Sequence, residues 1–150
     1  MKAEITHASQ YRYWDAYRIF LDRKSESKQP QRSRFYWQRY SLRIKGFSLD
    51  AVYNIPQPGQ IAFAFALQEG GVAELKHILA VYQPDLERAL GYPLHWADVP
   101  VDQHSWLYTS CEADVRDEKD WVNQFAWYHT KHAQFSRVIT PFLDRIRARR

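Results

Sequence analysis

An α+β fold, a mainly antiparallel five-stranded sheet covered by helices in the order α-β-β-β-α-β-β-α, is what the sequence predicts. Three observations carry it. From Trp121 to Ile146 large residues recur at alternating steps of four and three, the spacing of one helix side. Between Phe35 and Leu67 the period changes to two. The links between the predicted strands are hairpin-sized or contain a helix, so short loops join antiparallel neighbours.

At 150 residues the chain is expected to be a single domain, 1–150, with a core large enough to need neither disulfide nor metal. A lone Cys111 permits no internal disulfide, no apolar run is long enough for a bilayer, and Met1-Lys2-Ala3-Glu4 opens no signal segment. A soluble cytoplasmic protein with no membrane partner is the expectation. The net charge of +4 is unevenly spread: residues 1–50 carry +6, residues 51–140 carry −5 and residues 141–150 carry +3. Basic ends around an acidic middle are either solvated surface or a footprint for phosphate or an acidic partner.

The first helix is expected from Thr6 to Lys24, with Tyr11, Trp14, Tyr17, Ile19, Phe20 and Leu21 on one broad apolar face and Thr6 or Ser9 as cap. Ser25–Ser33 is polar and reads as a loop. Phe35–Ile44 reads as a strand with Tyr36, Gln38, Tyr40, Leu42 and Ile44 on one side and Phe35, Trp37, Arg39, Ser41 and Arg43 on the other. After the Lys45-Gly46 turn, Phe47–Asn54 is its hairpin partner, and Pro56 and Pro58-Gly59 end that strand. Ile61–Leu67 sets large residues against Ala62, Ala64 and Ala66, so it reads as the central strand with a small side that a helix could approach.

A second helical face, Val72 to Leu90, stops at Gly91, with Pro84 implying a bend or two short helices. Leu94–Val99 and Ser105–Ala113 read as strands joined by Val101-Asp102-Gln103-His104. The last helix is expected from Asp117, with Asp117 as cap, acidic residues in its first turn, and a kink or fresh start at Thr140-Pro141.

The chain resembles the bacterial domain-of-unknown-function family 4268. The resemblance rests on Gln10-Tyr11-Arg12-Tyr13-Trp14, Ser48-x-Asp50-Ala51, Glu87-Arg88-Ala89-Leu90-Gly91 with His95-Trp96, and Trp121-Val122-Asn123-Gln124-Phe125-Ala126-Trp127. It implies an accessory or recognition role in restriction and DNA defence, beside nuclease-like domains for which this chain has no room. No catalytic residue is carried over.

Candidate chemistry is sparse. Asp50 with Glu74-Leu75-Lys76 matches a restriction-type nuclease set in letters, but Glu74 and Lys76 fall at a helix start, where such residues are ordinary. His129 and His132 could reach one metal, yet further ligands are missing and His132 lies in the buried stripe. Cys111 reads as a small apolar strand residue with His104 a weak base candidate. No phosphate loop, nucleophile elbow or dinucleotide fingerprint is present, so the sequence indicates no cofactor, no metal site and no catalytic residue.

The remaining candidate is the face that alternates rings with arginines. Arg32, Arg34, Trp37, Arg39, Arg43 and Lys45 form the candidate nucleic-acid-binding set, because guanidinium groups pair with phosphates and flat rings stack on bases. The same pattern suits a homodimer or docking face for a partner nuclease, or arginines lying across rings within one chain. DNA or RNA binding is the first expectation, a protein-interaction module the second, and a metal-dependent hydrolase the third.

Overall fold

The computed structural model describes residues 7–24, 37–44, 46–67, 72–99 and 104–148. Helix α1 spans His7–Arg23, followed by β1 (Trp37–Ile44), β2 (Phe47–Tyr53) and β3 (Gln60–Leu67). Helix α2 (Val72–Leu90) precedes β4 (His95–Val99) and β5 (His104–Glu112), and α3 (Trp121–Ala148) is the last described element. All five strands form one antiparallel sheet in the order β1-β2-β3-β5-β4, which is the expected α+β architecture.

The sheet has two unlike faces, and strand alternation assigns every residue to one of them. On the first, Leu49, Ala51 and Tyr53 lie opposite Phe65, Phe63 and Ile61. Tyr13, Trp14, Tyr17 and Leu21 of α1, Leu75, Ile78 and Leu79 of α2, and Phe125, Tyr128, Phe135, Ile139 and Phe142 of α3 pack with them in one buried cluster. All three helices therefore cover this face. Phe135 illustrates the fit: it stacks on Phe65 at 4.5 Å and meets Phe63 edge-on at 5.1 Å. Two phenol tips inside the cluster are bonded, Tyr13 Oη donating to Gln124 Oε1 at 2.7 Å and Tyr128 Oη to the Val52 carbonyl at 2.8 Å.

On the second face Val52, Ala62, Ala64, Ala66, Trp106 and Tyr108 form a smaller cluster, joined by Trp37, Ile55 and Ala97. No helix residue belongs to it among the described residues. The expectation that the alanine side admits a helix is thus corrected: all three helices are drawn to the phenylalanine side, which offers the larger apolar area. The space above the alanines is used by side chains from neighbouring strands.

Several local expectations also change. In α1, Tyr13 is fully buried and Ile19 is 53% exposed, so the apolar face is rotated from the expected one. Ser9 lies inside α1 and is no cap, while Thr6, the Ser25–Ser33 loop and the link 100–103 lie outside the described residues. Pro84 and Pro141 each sit within a single helix. Both prolines are exposed, and the carbonyls they deprive of a donor belong to the exposed residues Ala80 and Arg137, on the solvent side of their helices, where a lost helix bond costs less than in the core. Thr140 caps nothing; its hydroxyl donates to the Ser136 carbonyl at 2.8 Å. At the other end Asp117 precedes a 3-10 turn, Glu118–Asp120, and makes no capping side-chain bond. Asp120 holds that end instead, accepting from Asn123 and Gln124.

Tight turns follow the expected residue types. Gly91 adopts φ +92° and donates its N–H to the Glu87 carbonyl, closing α2. The β2–β3 link has Asn54 at φ 62°, a cis Ile55–Pro56 bond and Gly59 at φ 87°.

Candidate nucleic-acid interface

Strand β1 lies at an edge of the sheet and carries the described part of the candidate set. Trp37 and Arg39 are two residues apart, so both project to the helix-free face, and the Arg39 guanidinium sits 5.5 Å from the Trp37 ring centroid. Arg39 pairs across the ladder with Asp50 of β2. Its Nε and Nη2 donate to Asp50 Oδ1 and Oδ2, each at 3.0 Å, a bidentate fork.

Two more donors complete the carboxylate. Ser48 Oγ lies 3.2 Å from Oδ1 and Trp106 Nε1 lies 3.1 Å from Oδ2. A carboxylate has about four acceptor positions, and here four are filled. Asp50 is fully buried, whereas the Arg39 side chain keeps 26% of its surface exposed. The alanines explain how Trp106 reaches this acid. Two strand spacings, roughly 10 Å, separate β2 from β5; Ala64 and Ala66 of β3 leave that gap open for the indole.

This geometry gives Arg39 a structural role beside the expected one. Its charge is committed to Asp50, and removing it would leave a buried anion, so it acts first as a structural fork beneath Trp37. The side chains of Arg32, Arg34, Arg43 and Lys45 lie outside the described ones, as does Phe35. The structure therefore brings together Trp37 and Arg39 from the expected set, and adds Asp50, Ser48 and Trp106, which sequence reading did not connect to it.

The other candidate chemistries meet specific obstacles. Glu74 and Lys76 lie on α2, away from the strand context of a restriction-type nuclease, and Lys76 covers the Trp96 ring at 5.4 Å. His132 stacks on Tyr40 at 4.0 Å and meets Phe63 edge-on, and His129 lies against Phe20, so both histidines pack as rings. Among the described residues no three His, Cys, Asp or Glu side chains converge as metal ligands. Cys111 is half-buried rather than enclosed. Burial pushes its thiol pKa up, Lys131 opposing, which disfavours the thiolate a nucleophile needs.

The fold and the edge-strand cluster define a small α+β domain with a helix-covered face and a face bearing a buried ionic fork. The chain belongs to the family described as a domain of unknown function, DUF4268, whose model matches residues 9–143. No curated protein and no solved structure shows a significant match. Among the described residues no helix is long and apolar enough to cross a membrane.

Proposed function

We propose that this domain is a non-catalytic binding module that contacts nucleic acid along the β1 edge, within the cytoplasm and in a restriction or DNA-defence setting. The observation that carries the reading is Trp37, half-buried on an edge strand and underlain by an arginine that Asp50 holds rigid. A ring fixed in this way costs little ordering entropy when a base stacks on it. The basic residues on either side in sequence, Arg32 and Arg34 before it and Arg43 and Lys45 after it, supply phosphate contacts, in keeping with the +6 charge of residues 1–50.

Fluorescence anisotropy with a labelled single strand and a labelled duplex at low and physiological salt tests this. Binding that weakens steeply with salt is expected, with Arg32→Ala/Arg34→Ala lowering the salt slope by about 1.5 for a single strand. Trp37→Ala should weaken the single strand by roughly tenfold, the worth of one stacked base. Folded protein that binds neither probe at low salt refutes the reading.

One observation favours a protein-docking reading instead. Arg39 is neutralised by Asp50 and laid against a ring, the form in which arginine enters the core of a protein interface. Light scattering and capture of a nuclease partner separate this case: a monomer without such a partner counts against it.

A further inference from the structure

On the helical side, between α2 and α3, a groove of about 400 Å³ is lined by Tyr82, Asp85, Leu86, Ala89, Arg137, Val138, Pro141 and Phe142. Its apolar residues come from both helices, and Tyr82 meets Phe142 edge-on at 5.1 Å. Asp85, on one rim, is bound to Arg88 at 3.0 Å. Arg137, on the other, makes no hydrogen bond or ion pair among the described residues. Asp85 is thus already paired by Arg88, which lies outside the groove lining, and the Arg137 guanidinium is the lining cation with no such partner among the described residues.

We propose that this groove binds a small organic anion, a carboxylate on a flat apolar body of one or two rings. The volume lies within the range of small-molecule sites, the lining suits a ring system, and Arg137 matches a carboxylate in bidentate geometry. The site is on the helix-covered side, and its occupancy is independent of nucleic-acid binding at β1.

The test uses 2-naphthoate, titrated into the isotope-labelled full chain and followed by NMR. Saturable shifts of Ala89 and Val138 are expected, with a Kd of about 0.1–1 mM for a ligand of this size. Arg137→Gln should weaken 2-naphthoate about tenfold while leaving the neutral 2-naphthamide unchanged. Ala89→Trp, at an exposed position, should fill the groove and remove saturable binding of both, and Arg32→Ala/Arg34→Ala should alter neither. Unperturbed amide spectra show that the variants are folded. The proposal is overturned by the absence of saturable shifts up to about 5 mM, by shifts confined to the β1 side, or by equal affinity of Arg137→Gln for the acid. A short acidic, aromatic peptide that binds here where 2-naphthoate does not also overturns it, in favour of a protein-docking groove.

Discussion

Arg39 and Asp50 face each other across the β1–β2 ladder and share two 3.0 Å hydrogen bonds, with the acid fully buried and the arginine at the surface of the same cluster. This pair ties the candidate interface to the stability of the sheet, because each partner is costly to remove without the other.

Arg39→Met is expected to destabilise the fold by about 3 kcal/mol, since it leaves the Asp50 carboxylate buried without its counter-charge. Trp106→Phe, which deletes the indole donor to that carboxylate and empties part of a fully buried ring site, should cost at least about 1.5–3 kcal/mol. Urea unfolding of the two single variants and the double variant gives a coupling of about 0.5–3 kcal/mol if both act through Asp50. Additive losses would show that the three residues do not form one network.

Gln38 offers the opposite case. It is fully buried on the helix-covered face, and among the described residues neither its amide nitrogen nor its amide oxygen has a hydrogen-bond partner. Gln38→Met keeps the shape and removes two desolvated polar atoms, so the urea midpoint should rise, by an amount corresponding to about 1 kcal/mol. A fall would mean that the amide is bound to water in solution.

Alkaline pH should unfold the protein through its tyrosines. Burial pushes Tyr92 up to about 12, the nearby Arg137 pulling the other way, and raises Tyr13 and Tyr128 further. In the unfolded chain these phenols ionise near 10. Their folded-state preference for the neutral form is fully effective below that value and is lost as pH climbs toward and past 12. The urea midpoint should therefore decline above about pH 10, and absorbance at 295 nm should show late-ionising phenols that titrate only with unfolding. All ten tyrosines titrating together near pH 10 in folded protein would contradict this.

Periodicity made the framework readable. Phe125, Tyr128, Phe135, Ile139 and Phe142 are buried along the side of α3 that their spacing marks, and Gly91 ends α2 where its freedom at positive φ predicts. The failures have local causes. Proline read as a helix breaker did not allow for the smaller cost of a freed carbonyl on the solvent side of the helix at Pro84 and Pro141. The Arg39–Asp50 pair was hidden by register. A hairpin drawn straight back from Gly46 puts Arg39 across from Val52, whereas an irregularity between Ser41 and Ile44 brings it opposite Asp50. Nothing in the residue letters announces that shift. The α2–α3 groove was likewise invisible, since it is made where two helices separated in sequence meet around Pro141.

The row Ala62, Ala64, Ala66 has a temporal meaning as well as a spatial one. Arg39 can find Asp50 as soon as the first hairpin closes, 11 positions apart, but the indole that completes the acid's shell comes from 56 positions away and must cross the third strand to arrive. A contact of such separation carries a larger loop-closure cost than one within a hairpin. The sheet's charged centre is thus finished only when its fourth-placed strand docks, and until then each methyl in that row holds open a doorway for a ring that has yet to come.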